Sequence, residues 1–119
     1  MLLDAGDTDG ACSRAYYAMY DAARACLAWA RVEPMRGEFK THRGLVAAFG
    51  LHLVKPGLFP TEASRAIQRA QTVRQIADYE ASPVPQDDAV ETVGRAERFV
   101  ATATSLVATP YRPPSGSTP

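Results

Sequence analysis

The chain reads as an all-α domain, an antiparallel up-and-down four-helix bundle, on three observations. Four stretches carry apolar residues at helical spacing, the breaks between them hold proline and glycine, and no stretch alternates apolar with polar residues as a strand does. Its 119 residues give room for one hydrophobic core and not for two. The apolar fraction, 46%, is that of a globular chain. No apolar run is long enough to span a membrane, and no basic region precedes an apolar stretch at the N-terminus. The expectation is a soluble, cytoplasmic protein.

The first helix is expected from about Asp9 to Arg31, capped by Asp7 or Thr8. Cys12, Ala15, Tyr16, Met19, Ala23, Cys26, Leu27 and Ala30 make its apolar stripe. A second row of Ala18, Ala22, Ala25 and Trp29 lies beside it and invites close approach of another helix. Tyr16 points into the stripe, Tyr20 lies at its edge and Tyr17 faces outward. Pro34 and Gly37 mark a loop, after which Thr41 caps a second helix reaching about Val54. Lys55-Pro56-Gly57 stops that helix, and Thr61 is expected to cap a third, ending near Glu80. The fourth starts near Asp87 or Asp88, with a seam of Ala89, Val93, Ala96, Val100, Ala103 and Val107. Residues 1–109 thus form one domain, and the proline-rich residues 110–119 a disordered tail.

Thirteen basic residues balance thirteen acidic ones, but unevenly. Residues 31–76 hold eight basic residues against three acidic, a net of +5, while the flanking segments are acidic. A basic middle suits a phosphate-bearing partner or, equally, a solvated helix face. Cys12 and Cys26 are fourteen positions apart in one helix. That is about 21 Å at 1.5 Å per residue, beyond the reach of a disulfide. Two cysteines and two histidines offer no zinc-ligand spacing, so no metal or cofactor is expected.

The third helix holds the most telling position. Arg74 lies within the stripe of Ala63, Ala66, Ile67, Ala70 and Ala77. A guanidinium there needs a partner or a wet cleft, because an unpaired buried charge costs several kcal/mol. Two readings fit: an ion pair with Asp78, four residues on, locking two helices, or an anion-contacting arginine held in place by Asp78, its site at a dimer cleft. His42, in Lys40-Thr41-His42-Arg43, sits at a helix start, where free N–H groups and two cations favour a phosphate.

Three segments together resemble the HEPN superfamily. They are Ser13-Arg14-Ala15-Tyr16-Tyr17-Ala18-Met19-Tyr20-Asp21-Ala22-Ala23-Arg24-Ala25, Lys40-Thr41-His42-Arg43-Gly44-Leu45 and Arg74-Gln75-Ile76-Ala77-Asp78-Tyr79. The resemblance is to stand-alone prokaryotic HEPN proteins, and it implies a homodimeric helical bundle working beside a minimal nucleotidyltransferase. Some such pairs are toxin and antitoxin: the HEPN member is an RNase, silenced by complex formation or by AMP attached to a tyrosine. Catalytic members carry Arg-x(4–6)-His, in which arginine steadies phosphate charge and histidine helps activate the ribose 2′-hydroxyl.

This chain departs from that pattern. No histidine follows Arg74, and five residues on stands Tyr79. Asp21 stands where relatives often have histidine, and relatives generally have more first-helix sequence before Leu2. The expected site therefore comprises Arg74, Asp78 and Tyr79 for catalysis, with Lys40, His42, Arg43 and Tyr17 binding RNA or nucleotide. Loss of the histidine weighs toward binding over cleavage, and a non-catalytic helical adaptor is the alternative.

Overall fold

The computed structural model describes residues 6–34 and 37–113. All of its regular structure is helical: α1 (Thr8–Trp29), a 3-10 turn (Glu38–Lys40), α2 (His42–Phe49) running into a π-helical turn (Gly50–Val54), α3 (Thr61–Glu80) and α4 (Gln86–Val107). The four helices expected from the sequence are present. The reading of residues 114–119 as disordered, and that of the extreme N-terminus, fall outside the described residues.

Local chemistry sets each boundary. Asp7 caps α1, its carboxylate accepting the Gly10 N–H at 2.9 Å. Thr41 caps α2, its hydroxyl accepting the Gly44 N–H at 3.0 Å. Thr61 proves to be the first residue of α3 rather than its cap. Pro60 holds the cap position with extended backbone, and no side chain closes that end. At the other end Ala81 adopts a left-handed conformation, φ 54°, which breaks the helix before Pro83. Val84 then donates its N–H to the Asp9 carboxylate at 2.8 Å, tying the α3–α4 corner to the start of α1.

Contacts along the helices give their directions. Asp9 lies by Val84, and the Trp29 ring N–H donates to the Thr109 carbonyl at 2.6 Å, so α1 and α4 run parallel. Arg74 meets Tyr17, while Ala77 and Asp78 lie by Asp9 and Cys12, so α3 runs antiparallel to α1. It also runs antiparallel to α4, which follows it. The up-and-down bundle thus consists of three long helices with the short α2 packed against them. The segment just past α4 is held in place, because Tyr111 packs edge-on against Trp29 with ring centroids 5.0 Å apart.

The core contains every residue of the α1 stripe from Cys12 to Ala30. Met19, Leu27, Leu45, Leu53 and Ile67 are fully buried, and Phe49, Phe59 and Phe99 form a cluster with centroid distances of 4.8–5.3 Å. Both cysteines are buried free thiols, and burial pushes Cys26 up to about 11. The seam of α4 is rotated from its expected position. Ala89, Ala96 and Ala103 face inward with Thr92 and Phe99, whereas Val93 and Val100 are half-buried and Val107 is exposed. The bulk of Phe99 fills the space beside Phe49 and turns the valines toward solvent. Phe49→Ala is expected to cost about 3–5 kcal/mol of stability, measured by denaturant unfolding, because it empties the centre of the aromatic cluster.

Candidate functional site

The site is built around adjacent tyrosines on α1. Tyr16 is 3% exposed and Tyr17 51%, so one ring is floor and the other wall. Their centroids are 5.2 Å apart with the rings at 71°, an edge-to-face contact. One turn on, the Tyr20 hydroxyl donates to the Phe39 carbonyl and fixes the 3-10 turn against α1. Gly37 opens that turn in the left-handed region, φ 78°. Gly44 serves a close approach: a Cβ there would run into the Glu38 carbonyl oxygen. Lys40 and His42 are set by these constraints.

Arg74 reaches the two rings from α3. Its guanidinium carbon lies 4.7 Å from the Tyr16 centroid and 4.8 Å from that of Tyr17. Nη1 donates to the Gln71 side-chain oxygen at 2.8 Å, and Nη2 to the Tyr17 hydroxyl at 3.4 Å. The ion pair expected with Asp78 does not form. Asp78 is exposed and lines a separate cavity of about 270 Å³ with Asp9 and Ser13, Arg74 forming the wall between the two spaces. The tyrosine faces take the place of a carboxylate, and they hold the cation without neutralising it.

His42 completes the arrangement. Its Nδ1 is 2.8 Å from the Tyr16 hydroxyl, and the two rings are 5.7 Å apart. Burial lowers the His42 pKa from its ordinary 6.5. Burial, with Tyr20 and Tyr17 adding to it and Arg74 partly offsetting it, pushes Tyr16 up to about 12. Near neutral pH both groups are therefore uncharged. If Tyr16 donates, the imidazole proton sits on Nε2; if it accepts, Nε2 offers a lone pair. Either way the phenol orients the ring.

Tyr16, Tyr17, Tyr20, Arg24, Phe39, Lys40, His42, Gln71 and Arg74 line one cleft of about 410 Å³. Of the residues expected from the sequence, Arg74, Tyr17, Lys40 and His42 meet there. Asp78 lies beyond Arg74, Arg43 is exposed outside the lining, and Tyr79 is 92% exposed and points away. Tyr16, Tyr20, Arg24, Phe39 and Gln71 line it too and are not among the residues the sequence singles out as a site. The signals were there: Tyr17, Tyr20 and Arg24 share a face at steps of three and four, and Gln71 precedes Arg74 by one turn.

The HEPN domain pattern matches residues 1–106, nearly the whole chain. The chain belongs to the HEPN family. It is 33% identical over 110 residues to "UPF0332 protein glr0978" of Gloeobacter violaceus, covering 91% of this chain and 83% of the relative. It is 32% identical over 90 residues to "Putative toxin MJ0605" of Methanocaldococcus jannaschii, covering 76% and 63%. With "UPF0332 protein PH1297" of Pyrococcus horikoshii it shares 39% identity over 57 residues, covering 48% and 37%. No solved structure matches. In this HEPN protein the imidazole in the arginine cleft comes from the start of α2.

Depression of the His42 pKa has a sign. Below about 6.5 the unfolded chain binds a proton that the folded site resists, so His42 lowers stability as pH falls through that value toward its own lower one. Thermal unfolding from pH 7.5 to 5 is expected to show His42→Asn losing less stability than the wild type.

Proposed function

We propose that this HEPN protein is the RNA-directed member of a nucleotidyltransferase-linked toxin–antitoxin or defence-like module, binding RNA or nucleotide phosphate at the Arg74 cleft. The observation that carries the reading is the state of Arg74: a guanidinium held on two tyrosine rings, with no carboxylate against it, in a cleft it shares with Lys40 and His42. A cation so placed keeps its charge for an incoming anion.

Cleavage of RNA without a metal requires that the ribose 2′-oxygen attack the adjacent phosphorus while the 5′-oxygen leaves. One proton is removed and another supplied, and negative charge grows on the non-bridging oxygens. Arg74, with Lys40, is placed for that charge. His42, held by Tyr16, is the group able to move a proton near neutral pH. Tyr79, exposed on the same helix as Arg74, is the tyrosine most open to modification by a partner. A purely binding role uses the same cations and leaves His42 as a hydrogen-bonding wall.

Inducible expression of the wild type in a bacterial host is expected to arrest growth and fragment RNA, and Arg74→Ala to abolish both. The variant loses two cation–π contacts and strands no buried carboxylate, so its stability is expected to fall by no more than about 2 kcal/mol. Normal growth with intact RNA from the folded wild type would leave RNA or nucleotide binding, measured directly, as the function. An adaptor role would instead appear as unchanged RNA affinity in Arg74→Ala.

The groove between α1 and α4 supports a homodimer. It is lined by Ala11, Ala15, Ala18, Val93, Ala96 and Val100, with Arg14 and Glu97 also on its walls, and it leaves about 480 Å³ unfilled. A second copy seated on this groove about a two-fold axis would cover the outward Val93 and Val100 of α4. Val100→Glu is expected to turn a dimer into a monomer in light scattering, with the helical content retained.

A further inference from the structure

A larger concavity than the Arg74 cleft, about 540 Å³ against 410 Å³, opens between the start of α3 and the middle of α4. The two share no lining residue. Arg65 and Arg74 are nine positions apart on α3, half a turn out of phase at 100° per residue, so the two arginines leave that helix on opposite sides and about 13 Å apart along it.

Three guanidiniums and one carboxylate line it: Arg65, Arg95, Arg98 and Glu62. Arg95 is held at 3.0 Å by Glu91, one turn back on α4. Arg65 and Arg98 have no ion pair among the described residues. Arg98 lies back along its own helix over Gly94, where a Cβ would sit 3.6 Å from Nη1. Beneath the cations the lining is apolar and buried: Phe59, Ala63, Ala66 and Phe99. Pro60, at the cap position of α3, also lines the space, and no side chain caps that helix end. Its free N–H groups add positive potential to that of the arginines.

Cations sharing one concavity raise one another's energy, and an apolar floor gives water little to bind. An anion with an apolar body relieves both costs at once. We propose that this concavity binds a small amphiphilic anion, its acyl or aryl body on the Phe59–Ala63–Ala66–Phe99 floor and its carboxylate or phosphate head between Arg65 and Arg98. The site is independent of the RNA reading of the Arg74 cleft.

Calorimetric titration of the full chain with octyl phosphate, octanoate, octanol and inorganic phosphate tests it. At least one octyl anion is expected to bind once per chain, at least about tenfold tighter than octanol or inorganic phosphate, the tighter head group naming the class. Arg65→Ala/Arg98→Ala is expected to lose about tenfold or more of that affinity while retaining its helical circular dichroism, both side chains being exposed. Arg74→Ala is expected to bind as the wild type does. Octanol binding as tightly as the anions, an unaffected double variant, loss of binding in Arg74→Ala or Val100→Glu, or no binding at millimolar ligand would overturn the proposal.

Discussion

The cleft depends on the Tyr16 ring. It is buried in the α1 stripe, it carries the Arg74 guanidinium on its face, and its hydroxyl meets His42. One side chain thereby fixes the relative positions of a cation from α3 and an imidazole from α2. Aromatic support for Arg74 differs in kind from an ion pair. A carboxylate would have held the guanidinium more strongly and spent its charge within the fold, whereas the ring holds it and leaves the charge facing the cleft.

That difference removes Asp78 from both sequence readings of Arg74. The interhelical lock required Asp78 to be buried against it, and Asp78 is exposed beyond it. The arginine is instead part of a polar surface set into an otherwise apolar interface between α1 and α3. Lys40 and Arg24 add positive charge at the same surface, with no acidic side chain in the lining. The basic middle of the chain is therefore in part a built cleft and in part, at Arg43 and Arg69, an exposed helix face.

Helix number, the caps at Asp7 and Thr41 and the buried stripe of α1 were legible because they rest on local spacing and single side chains. The α4 seam was not, since a repeat of three and four residues fits two neighbouring rotations of a helix. The packing of Phe99 on Phe49, residues far apart in sequence, chose between them. Likewise Arg74 was readable as an anomaly on a helical wheel, but its partner was not. Asp78 was one turn away in sequence, while Tyr16 and Tyr17 came from the other end of the chain. His42 was legible as a helix-start histidine grouped with Arg74, but its contact with the Tyr16 hydroxyl was not, because it depends on the 3-10 turn folding back on α1. The three segments of the family resemblance marked the right helices without showing how their side chains meet.

Gly44 pressed against the Glu38 carbonyl has a mechanical consequence. The 3-10 turn bearing Lys40 and the first turn of α2 bearing His42 are too closely seated to slide past each other, so they move as one rigid piece. That piece meets α1 through two phenol hydroxyls, Tyr20 on the Phe39 carbonyl and Tyr16 on His42. The two phenols latch that piece from the cleft side, while Phe39 and Leu45, buried in the core, anchor it from behind. Lys40 and His42 therefore face Arg74 from a single wall.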